Sequence, residues 1–200
     1  MKNSKLPFVT LLFILVSIIS SGQTPFYTLD FETAGGYTTS VAEFTDGSGD
    51  FFLRTDGSDI SSSVVYSNIE GSYYFAAMDI DGEGASLPVF LDIDDINISG
   101  ETNLVFSVYL AEDDDGANQD WDEPDYLHIY YDIDNSGSFS NLLWIENDGS
   151  SFNSAPYIDT DFDGTGDGAE ITDVFTQYTV SIPVTGSLLD LKFEFSLDSG

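Results

Sequence analysis

Apolar and polar residues alternate along most of this chain with a period of two. Leu189, Leu191, Phe193, Phe195 and Leu197 alternate with Asp190, Lys192, Glu194 and Ser196. That is the pattern of a strand with one buried face. Tyr178, Val180 and Ile182 alternate with Thr179 and Ser181, and Pro183–Gly186 supplies the turn between the two segments. Leu104, Phe106, Val108 and Leu110 form another such face, as do Leu127, Ile129, Tyr131 and Ile133. Asp134-Asn135-Ser136-Gly137 has the turn chemistry of a hairpin and leads into Phe139–Ile145. Earlier strands are predicted at Phe26–Phe31, Phe51–Thr55, Tyr73–Ile80 and Ser86–Ile93. No segment has a helical period, and β-branched and aromatic residues fill the alternating stretches. The pattern predicts an all-β, antiparallel β-sandwich with long acidic loops. It gives one domain over residues 23–200, with no linker and no fixed repeat.

The first residues have a different pattern. Lys2 and Lys5 precede the apolar run Leu11–Ile19, which ends in Ser20, Ser21 and Gly22. A basic start, a short apolar core and a small-residue exit predict a secretory signal peptide over residues 1–22. The run is shorter than the roughly 20 residues of a membrane span. The expected location is therefore secreted, extracellular or cell-surface, with no membrane association after cleavage.

Composition changes the picture in two ways. There is no cysteine, so no disulfide braces an exported domain, and bound metal is the natural alternative. Removal of residues 1–22 leaves two cations, Arg54 and Lys192, against 36 carboxylates, a net charge of −34. Nucleic-acid binding needs Lys and Arg to displace counterions from phosphates, so this domain has no nucleic-acid partner, and an anionic lipid surface repels it. Adaptation to a salty medium is a second account of the acidity, without any specific site.

The motif with the most chemistry is Asp159-Thr160-Asp161-Phe162-Asp163-Gly164-Thr165-Gly166-Asp167-Gly168-Ala169-Glu170. It places acids at loop positions one, three, five, nine and twelve and a glycine at six, the spacing of an EF-hand calcium loop. Calcium takes six to eight hard oxygen ligands. Asp159, Asp161, Asp163 and Asp167 are the candidate side-chain ligands, Thr165 offers its carbonyl, and Glu170 is the closing carboxylate. The flanks read as strands, so a structural Ca2+ loop is expected rather than a helix-opening sensor. Asp79, Asp81 and Glu83 form a second candidate metal cluster, with Asp92, Asp94 and Asp95 one strand later. Glu112–Asp115 with Asp120–Asp125 is a third acidic stretch. Asp132–Gly137 starts like the main loop but has Leu143 at the closing position, and is expected to be a hairpin turn.

Support for catalysis is thin. A Ser-His-Asp arrangement would have to use His128, the one histidine, which sits mid-strand on the Tyr126/Tyr130 face. No enzyme activity is assigned. Trp121, Tyr126 and Tyr130 are candidate ligand-binding residues, because aromatic rings beside hydrogen-bonding acids suit a glycan or other cell-surface polymer.

Leu29-Asp30-Phe31-Glu32, Tyr73–Gly82 and Asp125–Tyr131 resemble the N-terminal jelly-roll domain of secreted multidomain proteins of Bacteroidetes-type bacteria. They are also loosely similar to MAM-type and carbohydrate-binding jelly rolls. The resemblance implies a jelly-roll-like sandwich and makes Asp30 and Glu32 candidate calcium ligands. It also implies a last strand beyond Ser199-Gly200, so that residues 23–200 lack the closing strand. The expected function is a secreted, calcium-stabilised, non-catalytic binding or structural module of a larger extracellular protein. Alternatives are a carbohydrate-binding module, or an accessory domain of a secreted hydrolase or nuclease whose catalytic domain lies beyond residue 200.

Overall fold

The structure, a computed structural model, describes residues 24–113, 121, 123, 125–150 and 154–198. The predicted signal peptide, residues 114–120 and Asp122 of the third acidic stretch, and residues 199–200 lie outside the described residues. Eleven strands occur in the described chain, and no helix. They are β1 (Thr38–Thr39), β2 (Phe44–Thr45), β3 (Phe51–Thr55), β4 (Tyr74–Met78), β5 (Val89–Asn97), β6 (Leu104–Leu110), β7 (Tyr126–Ile133), β8 (Ser140–Asn147), β9 (Pro156–Asp159), β10 (Thr176–Ile182) and β11 (Leu188–Ser196).

One layer is a six-stranded antiparallel sheet in the order β1-β5-β11-β7-β8-β9. The facing layer comes in two pieces, β2-β3-β4 and β6-β10. The alternation in the sequence explains why the layers meet. Leu91 and Ile93 of β5, Ile129 of β7, Ile145 of β8 and Leu189 and Leu191 of β11 turn one way, and Leu104, Phe106 and Ile182 turn to meet them in one buried cluster. Aromatic contacts bind the layers further. Phe106 meets Phe193 at 6.3 Å between ring centroids, and Phe52 meets Phe195 edge-on at 5.5 Å. The all-β sandwich expected from the sequence is present.

β3 departs from simple alternation because both of its faces are covered. Phe52 packs inward with Ile80 and Val89, while Phe51 and Leu53 pack outward with Ile60, Tyr74 and Ala76. A run of three apolar residues, Phe51-Phe52-Leu53, is what a doubly covered strand needs.

The segment Phe26–Phe31 is not the strand its sequence predicts. It is irregular, Phe26 and Tyr27 are exposed, and Phe31 has φ 59°. Arg54 holds this segment instead. Its guanidinium donates to the Phe31 and Glu32 carbonyls and lies 3.6 Å from the centroid of the Tyr73 ring. Glu32 in turn accepts the Ser72 and Tyr73 amides at 2.6 and 2.9 Å. With its end fixed by the Arg54 side chain at the Phe31 carbonyl, the segment stays irregular and joins no ladder.

Between β5 and β11 the register slips. Leu189 pairs with Ile96 and Leu191 with Ile93, so Asp94 and Asp95 stand opposite Asp190 alone. That is a β-bulge. Asp95 adopts φ 57° and donates its amide to the buried Asp190 carboxylate at 2.7 Å. Burial raises the Asp190 carboxyl pKa, and the charges of Asp94, Asp95 and Asp132 push it the same way. A carboxyl raised on folding costs stability once it ionises. Asp190→Asn keeps an acceptor for Asp95 and removes that charge. It is expected to raise the melting temperature at pH 7, with the gain shrinking toward zero near pH 3, below the unfolded value of about 3.9. Calorimetry at both pH values checks this; a loss at pH 7, or a gain undiminished at pH 3, contradicts it.

Candidate metal site

Asp159 is the last residue of β9, paired across the ladder with Trp144 of β8. It is 1% exposed. A carboxylate so deeply buried must be satisfied by hydrogen bonds. Its Oδ1 accepts the amides of Asp161 (3.1 Å) and Phe162 (2.7 Å), and its Oδ2 accepts the Gly164 amide (2.9 Å). These bonds wrap the chain around the carboxylate. The wrap requires left-handed backbone, φ 62° at Phe162 and 87° at Gly164, and glycine takes that conformation without a Cβ penalty.

The turn brings three predicted ligands together. One carboxylate oxygen each from Asp159, Asp161 and Asp163 lies within 4.8 Å of the others. Oxygens sharing one calcium at about 2.3–2.6 Å are separated by at most roughly 5 Å, so the spacing fits a common ion. The charges are mutually unfavourable as they stand. The Asp161 carboxyl is raised, first by Asp163, then by burial, Asp167 and Asp159. Among the described residues no other three acidic side chains converge to this degree.

The second half of the motif is arranged differently. Asp167 accepts the Thr160 amide (2.9 Å) and hydroxyl (2.7 Å), and these bonds lower its carboxyl pKa. Glu170 bridges to Tyr157, whose hydroxyl donates to it at 3.4 Å. Both lie outside the convergent group. Thr165 is half-buried at the bend. The chain folds back here because glycine allows it. A Cβ on Gly166 would stand 2.6 Å from both the Glu146 carbonyl and the Tyr157 Cβ, and one on Gly168 would stand 2.8 Å from the Ile158 carbonyl.

Asp79, Asp81 and Glu83 occupy consecutive tight turns after β4, in which Gly82 donates to the Asp79 carbonyl and Gly84 to that of Asp81. They do not form a convergent group. Glu32, suggested as a ligand by family resemblance, is committed to the Ser72 and Tyr73 amides, and Asp30 accepts the Glu32 amide at 3.1 Å. Asp132 accepts the Ile133 and Gly137 amides in the β7–β8 hairpin.

The three candidate ligand-binding aromatics do not share one surface. Trp121 packs against the main core. Tyr126 and Tyr130 stand on the outer face of the six-stranded sheet. There Tyr126, His128 and Trp144 stack face to face, at 4.0 and 3.8 Å between centroids. Phe162 closes the row edge-on to Trp144 at 5.4 Å, and is 37% exposed. Tyr126 donates to Glu194 at 2.9 Å. The Tyr130 hydroxyl is pushed up to about 12, mainly by burial and then by the Glu194 and Glu146 charges. Both nitrogens of His128 are engaged, Nε2 by Glu146 and Nδ1 by the Tyr130 hydroxyl at 3.1 Å, so among the described residues no serine is bonded to the ring. Sequence reasoning passed over Trp144 and Phe162. The signal was present for Trp144: alternation with Leu143 and Ile145 turns it away from the core.

No protein-family model matches this chain, and no curated protein matches it. Among solved structures, the chain is similar to the K2 cleaved adhesin domain of Lys-gingipain, at 14% identity and a TM-score of 0.40, over 84% of this chain and 95% of that one. Among the described residues no helix is long and apolar enough to cross a membrane.

The packing at the bend gives a test that does not involve metal. Gly166→Ala is expected to destabilise the protein by about 1–3 kcal/mol, the usual cost of overpacking a filled site. Urea unfolding measures it, and an unchanged midpoint would show that the loop does not press on β8 and β9 as described.

Proposed function

We propose that this chain is an extracellular, non-catalytic binding module of the jelly-roll kind its Asp-Phe-Glu and Tyr-Tyr-Phe stretches resemble, with the loop after β9 organised by Ca2+. The observation that carries this reading is the convergence of the Asp159, Asp161 and Asp163 carboxylates within 4.8 Å. Their repulsion, expressed in the raised Asp161 carboxyl, is what a divalent cation relieves. Oxygen-only donors suit a hard cation such as calcium rather than a thiolate-seeking metal. Asp167, Glu170 and the Thr165 carbonyl complete the shell by rearrangement or through water. Asp79, Asp81 and Glu83 form the secondary cluster. The absence of cysteine and the net charge of −34 on the residues after the predicted leader support a stabilising role for the ion.

An ion that binds only the folded state stabilises it by mass action, about 2.7 kcal/mol at a concentration one hundred times Kd. For a chain of this size that corresponds to roughly 5–10 °C. Melting with calcium and with chelator is expected to differ by this amount for the wild type and by much less for Asp161→Ala. Equal melting temperatures in calcium and chelator would remove the metal from the reading.

The partner in this reading is a glycan or another uncharged cell-surface polymer. The observation favouring it is the row Tyr126, His128, Trp144 and Phe162, which has Glu194 beside it and ends in an exposed ring. Because the inner ring faces cover one another, stacking on a sugar falls to Phe162. Glycan-array binding in calcium is expected to drop about two- to tenfold in Phe162→Ala, the loss of a stacking contact, and to persist in Trp121→Ala. Absence of binding to any glycan would end this part of the proposal.

A further inference from the structure

The outer face of the β6–β10 sheet differs from the rest of this acidic protein. Residues 102–111 and 174–189 contain no Asp, Glu, Lys or Arg, in a chain with 36 acids. The two stretches are brought together by β6 and β10, which pair antiparallel from Leu104–Ile182 to Leu110–Thr176. Leu104, Phe106, Val108, Val180 and Ile182 turn into the core. The other side presents Val105, Ser107 and Tyr109 on β6, and Gln177, Thr179 and Ser181 on β10, all exposed. Val105 and Tyr109 are 45% and 36% exposed, and Val184 beyond β10 is 37% exposed. Gln177 donates to Ser107 at 2.7 Å, which holds the polar part of the surface flat. Tyr109 donates to Glu70, so one carboxylate marks the end of the neutral zone. Among the described residues β6 pairs only with β10.

Charge narrows what can dock here. A basic partner is drawn to the 36 carboxylates elsewhere on the chain, Glu70 at the end of the zone among them, not to a face without charge. A contact between two copies about a two-fold axis sets a patch against itself, and a patch of one charge sign is never complementary to itself. In a chain with so few cations, an uncharged sheet face is the kind of surface two copies can share. Val105 and Tyr109 give it apolar contact area, and Ser107, Thr179 and Ser181 give it uncharged hydroxyls that can pair across a two-fold axis.

We propose that the outer face of the β6–β10 sheet is a self-association surface on which a second copy of this chain docks when long-range repulsion is screened. This goes beyond the calcium reading and does not depend on it. The Debye length falls from about 10 Å at 0.1 M salt to about 3 Å at 1 M. Association is therefore salt-promoted, the opposite of a contact made by ion pairs.

Sedimentation equilibrium of the purified protein in about 0.1 M and 1 M NaCl, with chelator present throughout, tests it. The dimerisation constant is expected to rise at least about tenfold at the higher salt. Thr179→Glu, and independently Ser107→Glu, each return the protein to monomer in high salt. Asn141→Glu, an exposed position on β8, adds the same charge and leaves the dimer intact. Matching circular dichroism and melting show that each variant is folded. A monomer at both salt concentrations overturns the proposal. So does a dimer insensitive to both face variants, or lost equally in Asn141→Glu. Retention of a monomer on a neutral dextran column, lost in Thr179→Glu, would assign the face to a polymer and also overturn it.

Discussion

This fold is governed by carboxylates that have almost no cations to meet. Among the described residues both cations rest on aromatic rings: Arg54 on Tyr73, and Lys192 between Phe90 and Phe139, at 4.9 and 4.5 Å. The acids therefore turn to the backbone. Glu32 takes the Ser72 and Tyr73 amides, Asp134 those of Ser187 and Leu188, Asp159 those of Asp161, Phe162 and Gly164, and Asp190 that of Asp95. A charge-assisted bond to an amide is stronger than a neutral one, so each acid fixes a turn or ties two segments together. Hydrogen bonds lower the carboxyls of Glu32, Asp132, Asp134, Asp148 and Asp167. A carboxyl lowered on folding contributes stability above its unfolded pKa and loses it as pH falls. Asp92, Asp161 and Asp190 are raised and act in the opposite sense. Turn acids and crowded acids thus oppose one another as the pH drops through the carboxylate range.

Alternation makes the long strands legible in the sequence. β6, β7, β10 and β11 fall where Leu104–Leu110, Leu127–Ile133, Tyr178–Ile182 and Leu189–Leu197 alternate. The pattern failed where pairing is decided at a distance. Phe26–Phe31 has strand residues, but the Arg54 guanidinium holds the chain at its end, on the Phe31 and Glu32 carbonyls. β1 and β2 are two residues each, too short to carry a period. β9 opens on Pro156 and ends on a buried aspartate, and neither residue advertises a strand.

The arrangement of the acidic loop was legible only in part, for a related reason. Spacing along a sequence assumes the backbone path of the loop it was taken from. From Asp159 to Gly164 the Asp159 carboxylate gathers three amides, and its oxygen lies within 4.8 Å of those of Asp161 and Asp163. Beyond Gly164 the chain presses onto β8 and β9, with Gly166 donating to the Asn147 carbonyl at 2.6 Å. Contacts to a sheet edge then place Asp167 and Glu170, and the helix of an EF-hand has no counterpart. The aromatic row was hidden differently: Tyr126 and His128 lie on β7 and Trp144 on β8, and only the ladder brings them side by side.

That return of the chain over β9 also protects the sheet. Ile158 donates to the Ala169 carbonyl, while Asp167 and Gly168 donate to Ile158, and Ile171 donates to Pro156. The outer hydrogen-bonding row of the last strand is thus filled by the chain's own next residues. An exposed strand edge is a template for aggregation. Here the residues that follow the acidic turn act as its selvage, finishing a margin that would otherwise fray into the strands of other molecules.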